Sequence, residues 1–339
     1  MNKLLSFQQK IAPEIFPLIL TRYQILRSVH FWQPVGRRAL SEKLRVQERK
    51  IRNEVDFLRE QQLLSCTAAG MEVTQSGQVL LWEMADYIKE IQGLNLMEQE
   101  IAAAFPVKKV IIIPGDVDQD ETVKKDLARV TAEYLNQHLK DGSILAVTGG
   151  TTLAEVASAL GVSTTKRDIT VVPARGGLGE EVEIQANTVA ANIAKGLGAS
   201  YRLLHVPDDL GEKLIQSIIE EPKIKELLEL LRQANMVLHG IGLAEEMARR
   251  RGLAPEQIGD LVGRGAVGEA FGYYFAVDGS VIHSTSSVGL QLAELELIDE
   301  VVAVAGGRSK STAVRAVLSN SARDVLIIDE GAAIGLLKS

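Results

Sequence analysis

Four short stretches of this 339-residue chain combine glycines with hydroxyl or cationic side chains in a way that suits an anion. Thr148-Gly149-Gly150-Thr151-Thr152 leads into a helical pattern that begins near Leu153. Glycines let backbone N–H groups approach a ligand, a helix N-terminus supplies N–H groups without intrahelical acceptors, and threonine hydroxyls add donors. Together these make a phosphate cradle. The lysine and the spacing of a nucleotide-binding P-loop are missing. Pro173-Ala174-Arg175-Gly176-Gly177-Leu178-Gly179-Glu180, followed by Gln185 and Asn187, sets an arginine inside a glycine-rich loop, where its guanidinium can grip a second phosphate bidentately. Gly240-Ile241-Gly242 and Ala305-Gly306-Gly307-Arg308-Ser309-Lys310 complete the set, with Lys310 opening another helical pattern. A single glycine-rich turn is weak evidence, because tight turns use glycine for steric reasons alone. Several of them, supplying Arg175 and Lys310 between them, favour an anionic small molecule over a neutral one.

Residues for bond-making chemistry are sparse. The five histidines, His30, His138, His205, His239 and His283, are scattered, and none has metal-ligand spacing to another His, Cys or carboxylate. His205 and His239 fall in apolar strand patterns, as core histidines do. Glu180 and Glu269 sit near the glycine loops and could act as acid and base. They could equally hydrogen-bond sugar hydroxyls, and without a partner constellation that is the preferred reading. The expectation is no catalytic residue, no metal and no cofactor. The single cysteine, Cys66, excludes an intramolecular disulfide. With no secretory leader and no apolar run of membrane-spanning length, the chain reads as cytoplasmic, without a membrane partner.

The elements that must position these loops lie beyond Pro106. Apolar strand candidates at Val110–Pro114, Ile144–Thr148, Ile169–Pro173, Tyr201–Val206, Met236–Ile241, Val301–Ala305 and Val325–Ile328 alternate with helical stretches. Ala270–Ala276 and Val281–His283, around Asp278-Gly279, suggest a hairpin insert. Alternation with near-continuous apolar strands predicts an α/β domain built on a mostly parallel, doubly wound sheet. Ligands in such sheets sit beyond the carboxyl ends of the strands, where all four loops fall.

The first 75 residues read differently. A helix over residues 14–31 is followed by a break at Gln33-Pro34-Val35-Gly36, a short helix at Arg37–Leu44, a turn, and a helix at Glu48–Gln62. Leu63–Ser65 and Met71–Thr74 form a small hairpin around Ala68-Ala69-Gly70. That order predicts a winged helix-turn-helix. Opposite the apolar stripe Ile51, Val55 and Leu58 stand Arg49, Lys50, Arg52 and Asn53, residue types that read guanine and adenine in the major groove. Arg37 and Arg38 are placed to meet phosphates. Net charge is −7, but residues 1–90 carry +3, and residues 37–59 hold eight basic against four acidic side chains. A packing module with charged faces would share that balance. Gln47 is a poor N-cap for the second helix.

Between the two lies a helical pattern over residues 75–104, with Leu80, Met84, Tyr87, Ile91, Leu94 and Ile101 on one stripe. Such a seam suits pairing with a second chain or packing on its own domain. The expected partition is 1–75 for DNA binding, 76–105 for a linker and dimerisation helix, and 106–339 for effector binding.

The helix-turn-helix together with TGGTT (148–152), PARGGLGE (173–180), HGIG (239–242), EAFGYYF (269–275) and AGGRSK (305–310) resembles the SorC/DeoR-type sugar-responsive repressors over essentially the whole chain. The resemblance implies an effector domain similar to sugar-phosphate isomerases and deaminases, and repression of an operon for central glycolytic enzymes. It implies operator DNA and fructose-1,6-bisphosphate as partners, and a homodimer or a tetramer on DNA. Carried over, Thr151, Thr152, Arg175 and Lys310 take phosphates, with Gln185 and Glu269 as further ligand contacts. The related deaminases follow their GIG with an acidic residue, glycine and histidine, whereas here Leu243-Ala244-Glu245-Glu246 follows. The alternative is a sugar-phosphate isomerase or deaminase with an accessory N-terminal domain.

Overall fold

The computed structural model describes residues 3–177, 181–207, 211–320 and 324–338. The chain divides into two compact units, Met1–Asn95 and Leu96–Ser339. The division falls inside the segment expected to form one continuous helix.

In the first unit, helices Lys3–Ile11, Ile15–Trp32, Arg37–Leu44 and Glu48–Glu60 precede a hairpin of β1 (Leu64–Cys66) and β2 (Met71–Val73). Val35 bridges to Met71 and adds a third short segment to this wing. Ile51, Val55 and Leu58, on one face of the Glu48–Glu60 helix, pack with Ile25, Leu26, Val29, Leu40, Leu64 and Met71. Burying each such side chain contributes about 1.5–3 kcal/mol, enough for the apolar stripe to fix which face of the helix meets solvent. The turn before this helix is made by Arg45, in the left-handed region at φ 52°, whose N–H satisfies carbonyls of the preceding helix.

The pattern over 75–104 is three helices, Gln75–Glu83, Ala85–Ile91 and Leu94–Ala104. Met84 joins the first two, and Gly93, at φ +73°, separates the second and third. Leu81 and Ile88 are the fully buried large side chains of the first two helices, while Leu80, Met84, Tyr87 and Ile91 are half-buried. Over these two helices the expected stripe is displaced by one position, because the unit's own core engages Leu81 and Ile88, whereas Leu94 and Ile101 of the stripe are fully buried.

The second unit is built on a seven-stranded sheet of β3 (Val107–Ile113), β4 (Ile144–Val147), β5 (Thr170–Pro173), β6 (Ser200–Tyr201), β7 (Met236–Gly240), β12 (Glu300–Ala305) and β13 (Asp324–Asp329). All neighbours run parallel, in the order β3-β13-β12-β7-β4-β5-β6. The chain winds outward from β4 through β5 to β6, then returns to the other side of β4 as β7. The crevice between β4 and β7 is thus a topological switch point. Helices Thr122–His138, Thr151–Leu160 and Ala186–Leu197 cover one face through Leu127, Leu135, Val156, Val189 and Ile193.

A smaller antiparallel sheet carries β8 (Gly242–Leu243), β9 (Ala266–Ala270), β10 (Tyr273–Ala276) and β11 (Val281–Ser284) in the order β11-β10-β9-β8. The expected strand Ala270–Ala276 is broken by a tight turn: Ala270 ends β9, and Tyr273–Ala276 is β10, which pairs with β11 around Asp278-Gly279 as expected. Phe271 and Gly272, at φ 53° and 82°, are the two central residues of the turn. Likewise only Ser200–Tyr201 of the expected Tyr201–Val206 is strand. The N–H and C=O of Leu204 are taken by the Asn187 side chain at 3.0 Å each, so the backbone there needs no strand partner.

Candidate functional site

A cavity of about 500 Å³ opens where β4, β5 and β7 end. After β4, Thr148 accepts the Gly240 N–H at 3.4 Å and so ties the two strand ends together. A Cβ on Gly149 would stand 2.4 Å from the Ile184 carbonyl oxygen, so no side chain fits there. Gly150 is the N-cap of the Thr151–Leu160 helix, at φ 123° and without a side-chain cap. The helix N-terminus at the cavity therefore offers first-turn N–H groups and its partial positive charge, with the Thr151 and Thr152 hydroxyls beside them.

Arg175 follows β5 and is held through the backbone of its two neighbours: the Gly176 N–H donates to the Val288 carbonyl at 2.9 Å and the Leu290 N–H to the Ala174 carbonyl at 2.8 Å. Its Nη2 donates to Thr285 Oγ1 at 3.1 Å, and its Nη1 lies 4.0 Å from Glu269 Oε1. Arg251 reaches the same two groups, donating Nη1 to Thr285 Oγ1 at 2.8 Å and Nη2 to Glu269 Oε1 at 2.7 Å. All three charged side chains are almost fully buried. The Phe271-Gly272 turn places the Gly272 N–H on the same carboxylate oxygen. Among the described residues two guanidinium groups thus face one carboxylate, an arrangement that suits an anion.

Lys310 and Arg250 add a second cationic group to the cavity lining. Arg250 pairs with Glu246 at 2.7 Å. Burial lowers the Lys310 ammonium below its ordinary pKa, opposed by the Glu246 charge. Lys124 nearby is lowered by burial too, against the charge of Glu155. Behind Phe271, at 4.5 Å between rings, His239 is wholly buried and pushed down to about 4 by desolvation, so it is neutral at pH 7.

Gly149, Gly150, Thr151, Thr152, Arg175, Gly176, Glu269 and Lys310 therefore converge on one cavity. Gly177 and Gln185 are not in its lining; Gln185 is the N-cap residue of the Ala186–Leu197 helix, between the lining residues Ile184 and Ala186. Leu178, Gly179 and Glu180 lie outside the described residues. Asn187 serves Leu204 rather than the cavity. Sequence reasoning missed Glu246, Met247, Arg250 and Arg251. The visible signal was the run Arg249-Arg250-Arg251 after Gly242, which reads as a solvated helix end until the fold turns it inward. Among the described residues no group of three or more His, Cys, Asp or Glu is arranged to hold a metal, and no helix is long and apolar enough to cross a membrane.

In the N-terminal unit, Arg49, Lys50, Arg52 and Asn53 are all exposed on the Glu48–Glu60 helix, opposite buried Ile51, Val55 and Leu58. Arg52 has only a loose, exposed contact with Glu48 at 3.5 Å, and Arg38 one with Glu42 at 3.3 Å; such pairs contribute little and yield readily to phosphate. Arg37, half-buried, is engaged by Asp56 of the same helix at 3.1 Å. Arg22 anchors this helix from behind, donating to Glu54 at 2.7 Å with its guanidinium 3.6 Å above the Phe57 ring. Gln47 provides no side-chain cap.

Comparison with known proteins accounts for both units. Residues 18–88 match the "CggR N-terminal DNA binding domain" and residues 89–338 the "Putative sugar-binding domain". The Central glycolytic genes regulator of Bacillus subtilis is 42% identical over 338 residues, covering 100% of this chain and 99% of that protein. The regulator of the same name from Priestia megaterium is 43% identical over 339 residues, with the same coverage. The crystal structure of the putative SorC family transcriptional regulator from Enterococcus faecalis superposes with a TM-score of 0.67 at 41% identity, covering 71% of this chain and 99% of that one. Full-length SorC from Klebsiella pneumoniae shares the fold over 95% of this chain and 98% of its own, with a TM-score of 0.65 at 19% identity. This chain belongs to the SorC-type family of sugar-binding transcriptional regulators and carries the N-terminal DNA-binding domain of the central glycolytic genes regulators.

Proposed function

We propose that this protein is a cytoplasmic repressor of a central glycolytic operon, released from its operator when fructose-1,6-bisphosphate fills the cavity at the β4/β7 crevice. The observation that carries this reading is the presence of two cationic groups at one cavity. Arg175 and Arg251 form one; Lys310, Arg250 and the uncapped helix N-terminus after Gly150 form the other. A cavity of about 500 Å³ suits a single small molecule. One phosphate sits with Thr151, Thr152 and Lys310 and the other with Arg175, while Glu269 and the loop bearing Gln185 meet the sugar. The relatives' names supply the operon class.

On the DNA, Arg49, Lys50, Arg52 and Asn53 read and grip the major groove, with Arg38 on phosphate. Arg37 meets phosphate while held by Asp56. A homodimer reads two half-sites, and a tetramer spans a longer operator. The sugar-phosphate enzyme alternative is disfavoured because no histidine lines the cavity among the described residues, and one oxygen of Glu269 is committed to Arg251.

The test is a DNA-shift titration on the promoter of the protein's own operon. Operator binding that weakens with micromolar to millimolar fructose-1,6-bisphosphate, with no turnover of the sugar, supports the reading. Binding indifferent to the sugar defeats it.

A further inference from the structure

Thr285 stands outside the cavity lining, yet its hydroxyl is a neutral group that both buried arginines share. It accepts from Arg251 Nη1 at 2.8 Å and from Arg175 Nη2 at 3.1 Å, and its own proton points to the Gly272 carbonyl at 3.3 Å. A hydroxyl has two acceptor sites and one proton, so Thr285 is used to capacity. Its backbone N–H also donates to Gly272, at 2.9 Å, which pins the residue to the turn that follows Glu269. Two like-charged guanidinium groups stay side by side only with acceptors between them, and among the described residues Thr285 and Glu269 face both. The Arg251 Nε–H remains buried and without an acceptor among the described residues.

We propose that Thr285 is a positioning residue that sets the preference for a sugar carrying two phosphates over a sugar carrying one, by holding Arg175 and Arg251 in register for the second phosphate. This rests on the bisphosphate reading of the cavity. The group formed by Thr151, Thr152 and Lys310 has no contact with Thr285 and keeps its own phosphate affinity when Thr285 changes. The hydroxyl therefore acts on the difference between ligands rather than on binding as a whole.

The experiment is calorimetric titration of the full-length protein with fructose-1,6-bisphosphate, fructose-1-phosphate and fructose-6-phosphate. Thr285→Val keeps the shape and removes the oxygen. Bisphosphate affinity falls about ten-fold or more, the scale of losing hydrogen bonds to charged groups. The tighter of the two monophosphates stays within about three-fold, so the preference collapses. Thr285→Ser restores it, because the serine hydroxyl reaches the same acceptor positions. Thr285→Ala, which leaves room for a water, falls between and serves if the valine variant does not fold. Equal weakening of all three sugars, or an unchanged preference in the valine and alanine variants, overturns the proposal. A wild-type protein that binds bisphosphate no better than monophosphate overturns the bisphosphate reading itself, and the proposal with it.

Discussion

Arg251 and Glu269 form a buried ion pair, Nη2 to Oε1 at 2.7 Å, with side chains only 5% and 6% exposed. Arg175 is held on the same carboxylate oxygen at 4.0 Å. Replacing Glu269 by Gln keeps the shape and removes a carboxylate that faces both guanidinium groups. Breaking a buried pair in this way costs about 3–5 kcal/mol. The expected outcome is a marked loss of stability in urea without ligand, and a larger rise in melting temperature on adding inorganic phosphate than wild type shows. An unchanged urea midpoint would mean that solvent, not Glu269, balances the arginines.

Arg175→Ala should leave operator binding intact and raise the effector concentration for half-release at least ten-fold, as expected for loss of a charged contact. Thr152→Val should act in the same direction more mildly, since it removes one hydroxyl at a helix N-terminus and keeps the volume. Operator release against fructose-1,6-bisphosphate concentration measures both. By linkage, operator DNA must weaken effector binding by the factor that effector weakens DNA binding.

The exposed face of the Glu48–Glu60 helix should carry sequence reading. Arg52→Ala or Asn53→Ala should cost roughly 1–3 kcal/mol on the cognate operator and relax specificity at one base. Lys50→Ala, acting on phosphate, should weaken all sequences alike and flatten the dependence on salt. Competition binding at several salt concentrations separates the two classes.

Glu246 competes with the ligand for the cations it faces. Its carboxylate pairs with Arg250 at 2.7 Å and favours the Lys310 ammonium. Glu246→Gln should tighten bisphosphate binding by about two- to five-fold, a modest factor because the pair is partly exposed and screened. The gain should shrink at alkaline pH, since the variant also removes a charge that supports Lys310 against the pull of burial. Titration at pH 7 and pH 9 reads both effects; weaker binding at pH 7 would instead make Glu246 a ligand contact.

His239 links stability to pH. Its folded pKa of about 4 lies below the ordinary 6.5, because burial disfavours the charged ring. Between those values the unfolded chain binds the extra proton. The stability associated with the neutral ring is therefore complete above about pH 6.5 and is lost as pH falls toward 4, at most roughly 3 kcal/mol. Urea melts of wild type and His239→Gln at pH 7, 6 and 5 should converge as pH falls. Parallel lines would show that the ring titrates normally.

Much of this protein is written locally in its sequence. The helix-turn-helix was legible because Ile51, Val55 and Leu58 recur at helical spacing, which alone fixes Arg49, Lys50, Arg52 and Asn53 on the outer face. The parallel sheet was legible because strands covered on both faces must be apolar throughout, and the glycine loops at their ends marked Thr151, Thr152, Arg175 and Lys310. Tertiary structure decided what depends on partners distant along the chain. Thr285 bears no local mark of the site, and Arg251 only a place in a basic run at a helix end; they reach it because the β8–β11 sheet brings Arg251, Glu269 and the residue after β11 onto the end of β5. The stripe over 75–104 fits more than one helix phase, and the surrounding core, not spacing, selected Leu81 and Ile88 for burial. Spacing records a residue's neighbours within its own helix or strand. Charge pairing and burial between elements are set only when the sheet order brings their ends together.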